Sequence, residues 1–176
     1  ILSSDYDYWK ADLKLEGKFR IRKLGMEFWQ LSAGWISTPV PYLKMYTPPA
    51  NFDDLSLYST NSFETMRPNE FVNQYQVAVH HRHNFGSVKT GIKWIRPEFH
   101  WANNFGIGWL TKPALHTGLT VQDMSLGLFE TGLVIEDIIK VNLIGIGGGV
   151  FYRYGSYAFS DEFDNLAFKL SMKIGF

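Results

Sequence analysis

The chain has 176 residues, enough for one domain, and its 17 basic and 17 acidic residues give a formal net charge of zero. This balance, without a basic cluster interleaved with aromatic residues, excludes a typical nucleic-acid-binding surface, and the absence of cysteine excludes disulfides and thiolate metal sites. The 14 Phe, 9 Tyr and 6 Trp are more than one small soluble core needs, which indicates a second apolar environment.

The first predicted element covers residues 10–22 and alternates apolar and charged residues with the period of two that is typical of a strand. Its apolar face carries Ala11, Leu13, Leu15, Gly17, Phe19 and Ile21. Its other face carries Lys10, Asp12, Lys14, Glu16, Lys18, Arg20 and Arg22. No apolar run approaches the roughly 18–20 residues of a membrane-spanning helix, so any membrane crossing must use such strands.

Five further strands are predicted in the middle of the chain, at about 26–37, 70–85, 92–105, 125–135 and 140–154. The third strand places apolar residues on one face, namely Phe71, Tyr75, Val77 and Val79. Pro97 in the fourth strand predicts a bulge, because proline cannot donate to a strand ladder. The sixth strand contains Gly145, Gly147, Gly148 and Gly149. These glycines predict a bend or a crowded interior rather than a phosphate-binding loop, because the Lys-Ser/Thr pair of such a loop is absent.

The last twelve residues form the most regular predicted strand. Its apolar positions are Leu166, Phe168, Leu170, Met172, Ile174 and Phe176. They alternate without a fault with polar or small residues. This closing segment ends in an aromatic residue and resembles the β-signal that the outer-membrane assembly machinery reads in its clients.

The connections between these seven strands alternate in length, which is typical of an outer-membrane barrel with short periplasmic turns and long external loops. The predicted long connections are 38–69, 106–124 and 155–164, and the short ones are 23–25, 86–91 and 136–139. We therefore predict an all-β fold, an antiparallel transmembrane up-and-down β-barrel. The alternative is a soluble eight-stranded barrel of the lipocalin type, which buries its apolar face around a ligand.

Seven strands with the C-terminus in the periplasm place the start of the first strand on the external side. Bacterial single-chain barrels have an even strand number and both termini in the periplasm. We therefore expect that residues 1–176 form one C-terminal barrel segment, that at least one strand precedes Ile1, and that an N-terminal part of the protein is missing from this sequence.

Several segments resemble the C-terminal barrel of a Bacteroidota family of unknown function whose members follow a carboxypeptidase-regulatory-like domain. The resemblance covers residues 25–176 and rests on Val40–Tyr42, Asn69–Gly86, Glu130–Lys140 and Phe151–Gly155. It implies an outer-membrane location, a large barrel and an upstream periplasmic domain. It supplies no catalytic residues.

A polar network is predicted in the barrel lumen, formed by Arg82, Arg96, Glu98, His100, Glu130 and Arg153. His80 and His100 both face the lumen in opposed strands, whereas alternation places His81 and His83 on the other face. Zinc requires three or four ligands, and the sequence places no carboxylate in assured reach of these two histidines. We therefore predict a polar network and no metal site.

We therefore predict that the protein is not an enzyme and serves as a structural, assembly or partner-holding subunit of an outer-membrane complex. Its expected partners are outer-membrane lipid, the barrel assembly machinery and other envelope proteins, with no nucleic acid and no cofactor. The long external loop at 38–69 either plugs the lumen or docks a partner. The alternative function is a pore or transporter for small solutes or nutrients. No Gly-x-Ser-x-Gly elbow or paired-acid spacing predicts a catalytic site.

Overall fold

The structure is a computed structural model that describes residues 7–52, 56–112 and 121–174. In these ranges the chain forms eight strands: β1 (Lys10–Ile21), β2 (Gly25–Ile36), β3 (Ser56–Leu57), β4 (Tyr75–Ser87), β5 (Glu98–Trp109), β6 (Leu128–Val141), β7 (Ile144–Tyr154) and β8 (Leu166–Ile174). Two short 3-10 helices lie at Tyr42–Lys44 and Phe163–Asn165. Within the described ranges, no helix has the length and apolar character needed to span a membrane. The prediction of an all-β fold is confirmed.

All eight strands belong to one sheet, in the order β1-β2-β4-β5-β6-β7-β8-β3. The seven long strands pair antiparallel with their neighbours along the chain, as an up-and-down arrangement requires. β3 comes from the long loop and pairs parallel with β8, with Ser56 beside Lys169 and Leu57 beside Leu170. The sheet formed by the described residues is not closed, and β1 and β3 lie at its two edges.

Several strand boundaries differ from the prediction. β5 begins at Glu98 instead of residue 92, because Pro97 precedes the ladder and its carbonyl accepts the Val88 amide at 2.9 Å. β6 continues to Val141, beyond the predicted end at 135. Its pairing with β7 shifts register across residues 136–138, where Asp137 has a φ of 54°, and then resumes. A bulge therefore replaces the predicted turn at 136–139, and the actual turn is 142–143.

The connections also keep only part of the predicted pattern. Those at 22–24 and 142–143 are short, whereas that at 88–97 is nearly as long as the one at 155–165, which was predicted to be a long external loop. The longest connection, 37–74, absorbs the start of the predicted third strand. Phe71 therefore packs in a buried cluster with Met66 and does not share an exposed face with Tyr75.

The two faces of the sheet have opposite chemistry. We call the face that the 37–74 connection covers the inner face, and the opposite one the outer face. In β8 the inner residues Ala167, Lys169 and Ser171 are buried. The outer residues of the same strand, Phe168, Leu170, Met172 and Ile174, are 44–58 % exposed. This arrangement is the reverse of the one typical of soluble proteins, which bury apolar side chains and expose charged ones. A soluble barrel of the lipocalin type would require the apolar residues of β8 to line the interior, and they do not.

Two clusters of buried apolar residues lie where the long connections meet the strand ends. One cluster contains Phe63, Met66, Phe71, Ala78, Met124 and Leu128. A second contains Ile36, Val40, Met45, Tyr46 and Val72. Most of these residues belong to the 37–74 connection or to the strand ends beside it, so this connection is a packed part of the fold.

Candidate functional site

The 37–74 connection returns over the inner face and meets the charged residues of the strands. We call its described residues 51–52 and 56–66 the inserted loop. Phe63, Glu64, Thr65 and Met66 are all buried, which places this segment inside the curve of the sheet. The sequence left plugging and partner docking as equal alternatives for this connection. In the structure the inserted loop occupies the interior.

Glu130 in β6 anchors the inserted loop. Its carboxylate accepts the backbone amides of Glu64 and Thr65, each at 2.8 Å. It also accepts the Thr65 hydroxyl and the Asn104 side-chain amide, each at 2.6 Å. Four donors therefore satisfy a fully buried carboxylate, and two of them belong to the backbone of the loop.

A second anchor joins Glu64 of the loop to Lys169 of β8. Their charged atoms lie 3.3 Å apart, and both side chains are fully buried. The Glu64 carboxylate also accepts the Ser62 hydroxyl at 2.8 Å and the Ser59 amide at 3.1 Å. Burial raises the pKa of Glu64 above its ordinary value, and the Ser62 hydrogen bond and the Lys169 charge oppose that rise. The Lys169 ammonium further donates to Ser56, 2.6 Å from its hydroxyl.

Arg153 in β7 holds the end of the same connection. It is fully buried, and its Nη2 donates to Glu70 at 2.8 Å. The rings of Phe159 and Phe71 lie 4.9 and 5.9 Å from its Cζ. Arginine combines a carboxylate partner with aromatic faces in this way more readily than lysine does. Glu70 lies in the predicted third strand, so its pairing with Arg153 depends on a chain path that the sequence did not predict.

A separate charged group lies towards the end of the sheet that carries the 88–97 and 142–143 connections. It consists of Arg82, Glu98, His100, Glu136 and Lys173. The Lys173 ammonium lies 2.9 Å from Glu98 and 3.5 Å from Glu136. Arg82 lies 3.6 Å from Glu136. We call this group the lower cluster. Glu136 was not among the predicted lumen residues, because residues 136–139 were predicted to form a turn.

The structure brings Arg82, Glu98 and His100 together in the lower cluster, places Glu130 at the inserted loop, and places Arg153 at Glu70, near the end of the 37–74 connection. It does not bring Arg96 into either group. Arg96 is exposed in the connection before β5, and its backbone amide donates to the Asp137 carbonyl at 3.3 Å. Assignment of Arg96 to the lumen is therefore corrected, because the strand that was expected to carry it begins two residues later.

The outer face carries its own polar group. Glu27 of β2 lies 2.6 Å from His81 and 2.7 Å from His83 of β4, and the other ring nitrogen of His83 lies 3.0 Å from the Leu24 carbonyl. Alternation predicted the side of both histidines. Glu27 was not among the predicted site residues, although its spacing of two from Trp29 already placed it on the same face of the strand.

The predicted assembly signal lies in β8 and beside it. Leu166 is half-buried, and the next four apolar positions are exposed on the outer face. Phe176 lies outside the described residues. Recognition of this segment by the assembly machinery stays a prediction.

Two cavities adjoin the inner face. One of about 410 Å³ lies beside β1 and β2 and is lined by Glu16, Lys18, Gln30, Tyr58, His80 and Arg82, among others. The other, of about 780 Å³, reaches the lower cluster and is lined by Asn84, His100, Glu136, Ser171 and Lys173, among others. Burial raises the pKa of Tyr58 to about 12, so this phenol enters the cavities as a neutral group.

Comparison with protein-family models, with curated proteins and with solved structures finds no match to this chain. The resemblance to the Bacteroidota barrel family therefore stays a prediction.

Proposed function

We propose that this chain forms part of an integral outer-membrane β-barrel that serves as a structural or partner-holding subunit of an envelope complex. The observation that carries the proposal is the inversion of the two sheet faces. Exposed Leu, Ile, Phe and Trp side chains cover the outer face, whereas Glu130, Arg153 and Lys169 are buried on the inner one. Exposure of this apolar face to lipid costs no free energy, whereas its exposure to water is unfavourable.

The inserted loop supports a structural role over an open pore. Two buried carboxylates, Glu130 and Glu64, fix it to β6 and β8, and buried Arg153 of β7 holds Glu70 further along the same connection. Breaking such buried, hydrogen-bonded pairs costs about 3–5 kcal/mol each, so the loop does not leave the interior readily. A fixed loop obstructs conduction and gives the barrel a rigid interior.

The polar group on the outer face supports partner holding. In a lipid-facing position, Glu27 and His83 would lie in a region where ionisable side chains are rare and usually mark a functional contact. Their side chains are mostly covered by the protein itself, and the Phe85 ring lies 4.2 Å from the His83 ring. Contact between Glu27 or His83 and lipid is unfavourable, so a neighbouring envelope protein that offers polar groups at this position would be preferred to lipid.

One matched pair of substitutions tests the membrane assignment. Leu133 is 60 % exposed on the outer face of β6, and Leu126 is 63 % exposed in the connection before it. In a barrel, Leu133→Arg is expected to destabilise the protein folded in lipid vesicles by about 2–4 kcal/mol, whereas the effect of Leu126→Arg stays near zero. On a water-exposed surface both substitutions stay within about 0.5 kcal/mol. Equal, small effects would overturn the membrane assignment.

Conductance of the intact protein in planar bilayers tests the structural role. We expect no steady current with the inserted loop in place. A steady, ion-selective current would favour the pore or transporter instead. Purification in mild detergent provides the positive test, in which a structural subunit retains defined envelope partners and Glu27→Leu weakens their retention.

A further inference from the structure

His100 has an environment that ion pairing alone does not explain. Its side chain is 2 % exposed, and in the described part of the chain neither ring nitrogen has a hydrogen-bond partner. Its Nε2 lies 3.3 Å from a Glu136 oxygen and 3.9 Å from a Glu98 oxygen, without the geometry of a hydrogen bond. A buried polar group without a partner costs free energy and calls for an explanation.

The two carboxylates that His100 faces come from adjacent positions of the sheet. Glu98 and Glu136 are direct partners in the β5–β6 register, and His100 follows Glu98 by two residues, so all three share the inner face. One ligand atom from each residue lies within 4.8 Å of the others. Ligands around a zinc-sized ion stand about 2.0–2.2 Å from the metal, so small side-chain rotations would bring these three atoms to one centre.

We propose that Glu98, His100 and Glu136 bind a divalent transition-metal ion of the zinc class. An imidazole with two carboxylates suits Zn²⁺ or Mn²⁺ better than Ca²⁺, which prefers oxygen ligands alone. The cavity of about 780 Å³ that reaches His100 and Glu136 supplies an entry path and space for a water as the fourth ligand. This inference does not depend on the membrane assignment.

Lys173 is the competitor of the ion in this site. Its ammonium lies 2.9 Å from Glu98, 3.5 Å from Glu136 and 3.8 Å from Asp137. The side chain is 41 % exposed, so it can move to solvent when a cation with two charges enters. The metal therefore exchanges with the Lys173 ammonium, and affinity depends on this exchange.

Calorimetric titration of the intact, chelator-treated protein with Zn²⁺ tests the proposal, and Co²⁺ absorption reports the nitrogen and oxygen ligands. We expect one ion per chain. His100→Gln and Glu136→Gln should each weaken binding by more than the roughly 10- to 100-fold that loss of an outer-shell partner causes. Lys173→Met should tighten it at least about tenfold, because removal of a like charge at this distance favours the cation.

His83→Gln is the matched control, because His83 is also buried beside a glutamate but faces the other side of the sheet. It should leave the affinity unchanged. Absence of one-to-one binding to the folded wild-type protein would overturn the proposal, and this measurement does not depend on how any variant folds. Binding that survives His100→Gln but is lost in His83→Gln would also overturn it, because the ion would then lie on the outer face.

Discussion

Replacement of Glu130 by glutamine tests whether the inserted loop is held by the carboxylate that its backbone faces. Glutamine keeps the size of the side chain and one acceptor oxygen. Its amide group then faces the Thr65 amide, which lies 2.8 Å from the carboxylate in the wild-type protein. The substitution therefore places one donor against another in a fully buried position.

The expected magnitude follows from the four bonds that Glu130 accepts. A buried donor left without an acceptor costs about 1–3 kcal/mol, and the remaining bonds lose the assistance of the negative charge. We expect the inserted loop to open more easily by about 3 kcal/mol. This value corresponds to an increase of about 150-fold in the population of the open loop.

Hydrogen exchange measured by mass spectrometry is the assay, because it reports local opening. Peptides that contain the Glu64 and Thr65 amides should exchange about 150-fold faster in Glu130→Gln, while the β4–β5 ladder keeps its protection. Glu162→Gln is the matched control, since Glu162 is exposed and its carboxylate contacts Tyr152 away from the loop. Unchanged exchange at Glu64 and Thr65 would show that Glu130 does not hold the loop.

Two further predictions concern the glycine strand and the buried loop carboxylate. Gly147→Ala should lower the thermal unfolding temperature, because the added Cβ would lie 2.0 Å from the Ile135 carbonyl oxygen and destabilise the fold by about 1–3 kcal/mol. Gly148→Ala is the control: the nearest atom to its added Cβ lies at 3.3 Å, so this substitution should destabilise the fold by less than about 1 kcal/mol. Equal effects of the two substitutions would contradict the close approach at Gly147. The raised pKa of Glu64 means that the folded loop binds its proton more tightly than the unfolded chain, so wild-type stability relative to Glu64→Gln should fall as pH rises from the ordinary carboxyl pKa through the raised one. Thermal unfolding of both proteins from pH 4 to 8 measures this relative stability. A wild type that becomes more stable relative to Glu64→Gln as pH rises would contradict burial as the dominant cause of the shift in the Glu64 pKa.

Period-two alternation predicted the strands and their faces well, because it is a local property of the chain. The outer positions of β8 and the opposite orientation of His80 and His81 follow from it directly. The bulge at Asp137 was not predictable in this way, because aspartate with a positive φ is typical of tight turns as well as of bulges, and the sequence does not distinguish the two. That error removed Glu136 from the predicted interior.

The path of the 37–74 connection could not be predicted for a different physical reason. Its anchors join residues that are far apart in sequence, such as Glu64 with Glu130 and Lys169, and no local pattern encodes those distances. The length of the connection predicted that it either plugs the lumen or docks a partner. It did not indicate which carboxylates would receive its amides.

Charged side chains are stabilised in different ways at the inserted loop and in the lower cluster. At the inserted loop, Glu130 is satisfied by neutral amides and a hydroxyl that the fold fixes in place, so little can change there without opening the loop. In the lower cluster, Glu98 and Glu136 face the movable ammonium of Lys173 and reach a cavity. Movable cations and access from solvent allow exchange, whereas fixed donors do not. If this interior binds an ion, we therefore expect the ion at His100 and its carboxylates, whereas Glu130 holds the inserted loop in place.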